Sequence, residues 1–339
     1  MAGESRSSAV TMADVAERAG VSRALVSIVF RGVVGASAEN RERVMRAAAE
    51  LGYSPDRRAR LLGSSRSRTL GVVFGLHHEF HTELVERFYQ GVERTEFDLA
   101  LGATAPTRTE RTAVQSLLEF RCEALLLVGP TMQRKDLDAL ASQVPVVVLA
   151  RDLRAPSCDV VRTDDEHGAR IAVEHLVGLG HRAVVHVDGR RAPGAAERRR
   201  GYRKAMESAG LSAQVRVIPG GLTEEDGERA AADVLSGRSR PTGVVAFNDH
   251  CAAGLLSAAR QDGVAVPRSL SLVGYDDSRI AGLSSISLTT IAQDSRRLAG
   301  AALDLAVRRA GGWDEPPVDT VVPPRLVVRG TSATPERRR

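Results

Sequence analysis

The sequence predicts an α/β protein: a small all-α headpiece in front of a body built on two parallel sheets. Three observations carry this. Residues 11–31 pattern as two short helices around a glycine turn. From Leu70 onward, strand-like apolar runs alternate with helical patterns. With 339 residues, two sheets of about equal size fit that second region better than one, which makes two lobes with a cleft between them.

Residues 1–10 are small and polar and are expected to form a disordered leader. Thr11 is placed to cap the first helix, with Asp14 in its first turn and Val15, Ala16 and Ala19 as a small apolar face. Gly20 sits where a helix end wants the left-handed conformation, and Val21 plugs the angle. Ser22 caps the second helix, whose Leu25, Val26 and Val29 return to the same core. Arg23, Ala24, Ser27 and Ile28 are left on its exposed N-terminal part. In a helix-turn-helix this part enters the major groove of DNA, although the pair alone also reads as an ordinary helical hairpin. After a loop from Arg31 to Ala36, Ser37 caps a third helix closed by Val44, Ala47, Ala48 and Leu51 and ended by Gly52. Its Arg41, Arg43 and Arg46 are a solvated face or, beside a helix-turn-helix, phosphate contacts, and the second reading is preferred.

The headpiece so defined spans residues 11–54. Residues 55–69 carry one or two helical turns and many arginines, too short and too charged for a core, and are expected to order against a partner. In the body, strands are expected at Leu70–Leu76, Ala124–Val128, Val144–Ala150, Ala183–Val187, Gly243–Phe247 and Ser271–Gly274. Helices are expected at Glu83–Thr95, Arg111–Phe120, Gly168–Leu179, Ala196–Ala209, Glu224–Ser236, Cys251–Asp262 and Ser295–Arg309, before an extended Thr320–Val328.

The net charge is +5, with arginine concentrated in residues 41–68 and the last three positions. Cys122, Cys158 and Cys251 are odd in number and widely spaced, which argues against a disulfide framework or zinc site and for a reducing compartment. No apolar run reaches membrane-spanning length and no signal-peptide core is visible, so a cytoplasmic protein without membrane contact is expected.

Taken together, these residues closely resemble the lac-repressor type (LacI/GalR) family of bacterial transcription regulators. The resemblance rests on Met12-Ala-Asp-Val-Ala-Glu-Arg-Ala-Gly-Val-Ser, Arg41-Glu-Arg-Val, Glu50-Leu-Gly-Tyr-Ser-Pro and Ala59-Arg-Leu-Leu. It continues in His175-Leu-Val-Gly-Leu-Gly-His-Arg, Phe247-Asn-Asp-His, Val273-Gly-Tyr-Asp-Asp and Leu288-Thr-Thr-Ile. It implies a hinge helix at 55–69 and a periplasmic-binding-protein-like core at 70–329, followed by a basic tail at 330–339. The first lobe would take about 70–160 and 293–325, the second about 161–292. The resemblance further implies a homodimer on double-stranded DNA with a near-palindromic operator, controlled by a small-molecule effector for which a sugar is the family default.

Carried over residue by residue, base selection falls to Arg23 and Ala24, then Ser27 and Ile28, with Ser22 and Ser27 favouring backbone. Arg23 can bridge guanine O6 and N7. The sequence departs from the family at Ile28, usually arginine, and at Arg31, usually asparagine, so the usual half-site is not carried over. Leu62 matches the hinge leucine that wedges the minor groove, flanked by Ala59 and Arg60; its alternative is a core leucine of the lobe below. For the effector, Arg198 matches a ligand-gripping arginine. Asn248 and Asp276 follow strands, each with a cap or salt bridge as its alternative. His78, Phe80, His167 and Phe247 complete the expected cleft set. Leu222 stands where relatives often present an aromatic. Three histidines and Glu79 within His77–His81 invite a metal, but no second ligand cluster accompanies them, and neither metal nor cofactor is expected. The competing readings are an α/β enzyme and a solute-binding protein on the same cleft. No Walker loop, GxGxxG after a strand or GxSxG elbow supports the first; the missing signal peptide and attached headpiece oppose the second.

Overall fold

The computed structural model describes residues 10–31, 35–53, 66–153, 157–236 and 240–336. It divides into two compact units, Met1–Ser67 and Arg68–Arg339. The expected leader 1–9 and the hinge residues Ala59, Arg60 and Leu62 lie outside the described residues, as does the side chain of Arg31.

The first unit is built from α1 (Met12–Ala19), α2 (Arg23–Arg31) and α3 (Ala38–Leu51). Thr11 and Asp14 form a reciprocal capping box on α1. Gly20 ends α1 at φ +62°, a left-handed conformation that turns the chain into α2. Ser22 Oγ accepts from Leu25 N at 3.2 Å, and Ser37 Oγ from Asn40 N at 3.2 Å. The core is Val15, Ala16, Ala19, Val26, Val29, Val44, Ala47 and Ala48. Leu25 is only half-buried. Phe30 and Tyr53, not anticipated as core, pack on it with ring centroids 5.6 Å apart.

The second unit carries two six-stranded sheets. The first lobe contains β1 (Thr69–Gly75), α4 (Glu79–Val92), β2 (Asp98–Thr104), α5 (Glu110–Glu119), β3 (Ala124–Val128), α6 (Arg134–Ala141), β4 (Val146–Leu149) and β5 (Asp159–Thr163). The second contains α7 (Asp165–Gly178), β6 (Val184–Asp188), α8 (Ala195–Ser208), β7 (Val217–Pro219), α9 (Glu224–Leu235), β8 (Gly243–Ala246), α10 (Asp249–Gln261), β9 (Ser271–Asp276) and β10 (Thr289–Ala292). The chain then returns through α11 (Ser295–Ala310) and β11 (Asp319–Val322) on the first sheet and β12 (Arg325–Val327) on the second. Strand orders are β11-β5-β4-β3-β1-β2 and β12-β10-β9-β8-β6-β7. Every pairing is parallel except β10 with β12. Both sheets therefore repeat one doubly wound topology, whose ligand crevice lies at the carboxyl ends of the strands where the order reverses.

Near-continuous apolar runs, such as Ala124–Val128 with every residue buried, belong to strands covered on both faces. Leu70, Val72 and Phe74 of β1 face α4 and α11, while Val73 faces the opposite cluster with Leu117 and Leu137. In the second lobe, α9 and α10 cover one face and α7 and α8 the other. The α9–α10 crossing is tight: a Cβ on Gly227 would overlap the carbonyl oxygen of Cys251, and one on Gly254 that of Glu224. Gly254→Ala is therefore expected to destabilise the protein by about 1–3 kcal/mol. The check is a lowered urea midpoint at unchanged slope.

Two expected boundaries are corrected. A cut at 160/161 would divide β5, which runs to Thr163 because Val160 and Val161 pair with β11 and β4. Residues 330–336 are not a free basic tail. Thr331 is 2% exposed, donates through Oγ1 to Leu272 O at 2.7 Å and accepts from Thr289 N at 2.8 Å. The Ala333 carbonyl accepts from His181 Nε2 at 2.9 Å, so this segment completes the edge of the second lobe. The unanticipated β2, β5, β7, β10 and α6 are elements whose composition hides them. In β10, Thr289 and Thr290 are fully buried because their hydroxyls bond Ser332 and Asp249.

Candidate functional site

The headpiece presents Ser22, Arg23 and Ala24 exposed at the start of α2, with Ser27 and Ile28 half-buried behind them. The Ile28 side chain packs towards the loop, where a Cβ on Gly35 would lie 3.5 Å from its Cγ2. The arginines of α3 tie the unit together. Arg43 donates to Ala19 O at 2.6 Å and Arg41 to Val29 O at 3.5 Å, placing cations at the C-terminal ends of α1 and α2. Arg46 pairs with Glu42 at 2.8 Å. The reading of these three as phosphate contacts is thus corrected for Arg43, whose guanidinium is committed to helix carbonyls.

In the second unit, a cavity of about 60 Å³ lies between the lobes. Six of the seven expected effector residues line it: His78, Phe80, Arg198, Phe247, Asn248 and Asp276. His167 does not. It is two residues beyond Asp165 on α7, about 200° around the helix, so it points away from the cavity that Asp165 lines. His167 instead lines a neighbouring recess, which Asp165 also borders, with Arg162, Arg170 and Arg200.

Arg198 is the centre of the site. It is 6% exposed; Nε donates to Asp165 Oδ1 at 2.8 Å and Nη1 to Phe247 O at 2.6 Å. Its guanidinium carbon lies 3.5 Å from the Tyr275 ring centroid and 4.6 Å from that of Phe247. Asp276 Oδ1 is 3.8 Å from Nη2. Burial opposes the arginine's charge, but Asp165, Tyr275 and Asp276 hold its pKa above the ordinary value. Burial raises the pKa of Asp165 against the pull of Arg198, and that of Asp276 to about 6. Glycines make room for this cluster. A Cβ on Gly168 would overlap the Tyr275 hydroxyl, and one on Gly194 (φ +80°) would stand 2.9 Å from Asp165 Oδ2.

Asp276 adopts φ +113° and accepts from Gln293 Nε2 at 2.7 Å; Gln293 Oε1 accepts from Thr163 Oγ1 at 2.6 Å. This relay joins the two chain crossings, after β5 and after β10, to the cavity. Asn248 is a helix cap as well as a lining residue: Oδ1 accepts from Cys251 N at 2.9 Å and Nδ2 donates to Leu222 O at 2.9 Å. Asp249 is fully buried, receiving hydrogen bonds from Ser278 N, Ser278 Oγ and Thr290 Oγ1, and burial pushes it up to about 7.

From the first lobe, His78 and His81 stack with centroids 4.5 Å apart. Gly75 N donates to His81 Nδ1 at 3.1 Å. Burial and His78 push His81 down to about 3, so it is a neutral Nε2–H tautomer. Burial, then His77 and His250, lower His78 as well. Among the described residues no group of three or more His, Cys, Asp or Glu is arranged to hold a metal ion. Asp165, Gln293 and His250 were missed in the sequence; acidic or polar residues immediately after an apolar run, at the switch point, were the available signal.

A model for the lacI family of bacterial regulatory proteins matches residues 11–56, and one for a periplasmic binding protein-like domain matches 173–332. The HTH-type transcriptional regulator GalR of Salmonella typhimurium is 34% identical over 330 residues, 96% of each chain. The crystal structure of a LacI transcriptional regulator from a Rhodococcus species is 44% identical with a TM-score of 0.76, covering 79% of this chain and 100% of that one. The lac repressor dimer bound to operator and the anti-inducer ONPF is 28% identical with a TM-score of 0.82, covering 96% of this chain and 100% of that one. Among the described residues no helix is long and apolar enough to cross a membrane. A capped helix-turn-helix joined to a doubly wound two-lobed core, with this extent of identity, places the chain in the lacI family of bacterial regulatory proteins, as a DNA-binding transcriptional regulator and not an enzyme.

Proposed function

We propose that this regulator is a cytoplasmic repressor that binds a near-palindromic operator as a homodimer and is controlled by a sugar-like effector held between its lobes. The start of α2 reads the major groove. Arg23 addresses a base pair, Ala24 and Ile28 supply apolar contacts, Ser22 and Ser27 contact the backbone, and Arg31 is a further DNA contact. Ala59, Arg60 and Leu62 take the hinge role that the family resemblance gives them, with Leu62 as the minor-groove wedge.

The observation that carries the effector reading is the composition of the cavity wall. Carboxylates (Asp165, Asp276, Glu79), imidazoles (His78, His81) and an amide (Asn248) converge from both lobes, with Phe80 and Phe247 beside them. Such groups hydrogen-bond hydroxyls while aromatic faces cover apolar ring edges. The carboxylates of Asp165 and Asp276 balance the charge of Arg198 and oppose a further negative charge, so the fitting ligand is an uncharged polyol. The free volume of about 60 Å³ is well below the roughly 300–1,000 Å³ of ligand pockets, so the lobes must part to admit it. Differential affinity for parted and closed lobes is what couples effector to DNA, and the coupling is reciprocal.

The test is a genomic binding selection with the full-length protein at near-physiological salt, with Leu62→Ala alongside. An enriched palindrome that the variant loses or blurs is the expected result. Salt-sensitive binding without sequence preference in the parent protein, with or without added polyols, would overturn the reading.

A further inference from the structure

Three helix N-termini meet at the rim of the cavity: α4 of the first lobe and α9 and α10 of the second. They bring together Glu79, Glu224 and His250. The His250 ring has Nδ1 2.6 Å from Glu224 Oε1 and Nε2 2.7 Å from Glu79 Oε2. A neutral imidazole carries one N–H, so in either tautomer a nitrogen lone pair would point at a carboxylate oxygen. Only the imidazolium donates to both.

We propose that His250 is the positioning residue that closes the cleft: as an imidazolium it clamps Glu79 of the first lobe to Glu224 of the second, so that closure takes up a proton. The inference does not depend on which effector binds. Glu224 is held beside His250 within one lobe by the glycine crossing of α9 and α10, where Gly254 contacts Glu224. Glu79 is therefore the half of the clamp that parting lobes would break.

The titratable groups facing the ring come from every element around it. Glu79 and His78 stand at the start of α4, with His77 on the same rim; Glu224 starts α9, Asp276 ends β9, and Asp249 precedes His250 on α10. Burial opposes the charge on His250, but the bonds from Glu224 and Glu79 raise its pKa above the ordinary value. Burial, then His77 and His250, lower the pKa of His78, which disfavours its protonation beside His250. Burial raises the pKa of Asp276 to about 6, and its ionised form favours the imidazolium. The sign follows. The raised pKa belongs to the closed state, so the clamp's contribution is complete below the ordinary histidine range and is lost as pH rises through the raised value. Between the ordinary and the raised value, one linked proton lowers the closed-to-parted ratio by up to about tenfold per pH unit, and above the raised value the ratio no longer changes with pH.

The experiment uses the full-length protein without effector or DNA. Spin labels at Gln90→Cys on α4 and Glu228→Cys on α9 report the distance between lobes; the three native cysteines are buried. NMR of the imidazole signals reports the His250 titration. The expected result is a His250 that titrates above about 6.5 and an interlobe distance that lengthens over the same pH range. Glu79→Gln should return the titration towards about 6.5 and lengthen the distance at pH 6, and His250→Gln should abolish the pH dependence of the distance. A pH-independent distance in the parent protein, or a Glu79→Gln protein with unchanged titration and distance, would overturn the proposal.

Discussion

Arg198→Met is expected to abolish effector binding and to destabilise the core by roughly 3–5 kcal/mol, the cost of removing one partner of a buried ion pair. The guanidinium is 6% exposed and satisfies Asp165, the Phe247 carbonyl and the face of Tyr275 at once. Methionine fills part of the space and supplies none of the donors, leaving Asp165 without its cation in a site where burial already raises its pKa. Two features separate this from general loss of packing. The deficit should shrink as pH falls into the carboxylate range, because the orphaned Asp165 escapes its cost by binding a proton. Adding Asp165→Asn should recover a substantial share of the stability without recovering effector binding. Denaturant unfolding of the single and double variants at pH 7 and pH 4.5 is the check; a double variant no more stable than Arg198→Met would refute the argument.

Arg23→Ala is expected to weaken operator binding by about 1–3 kcal/mol per half-site, roughly 5- to 150-fold for each of the two contacts a dimer makes, and to relax specificity at one base pair in each half-site. The side chain is exposed at the start of α2, where it is free to meet a base edge. A phosphate contact makes a different prediction: uniform weakening across sequences, with the log–log salt slope falling by about 0.9 per contact in each half-site. Binding isotherms on operator variants at several salt concentrations distinguish the two. Unchanged sequence preference with a reduced slope would reassign Arg23 to the backbone.

The contrast between Arg23 and Arg43 shows how far a sequence can be read. Both are arginines beside a helix-turn-helix. The local pattern places Arg23 on the open end of α2, because a capped helix of known phase leaves that position outside. The same pattern puts Arg43 on a polar face of α3, and there local phase runs out: the carbonyls of Ala19 and Gly20 that occupy it come from another helix, 24 and 23 residues away. Likewise Asp276 was legible as a residue following a strand, whereas Gln293, which holds it, sits 17 residues on and became visible only when β9 and β10 paired.

The elements themselves were written in local chemistry. Caps at Thr11, Ser22 and Ser37, the left-handed glycines at 20 and 52, and unbroken apolar strands need only neighbours in the chain, so the helix-turn-helix and the alternating body could be read without coordinates. β10 could not, because two buried threonines look polar until Asp249 and Ser332 arrive from 41 and 43 residues away to satisfy them. Nor could the direction His167 faces, the docking of Thr331 into the second lobe, or the meeting of His250 with Glu79 across 171 residues. Each depends on which polar group from a distant segment takes up a donor or acceptor that water can no longer reach, and that pairing is made by the packed fold.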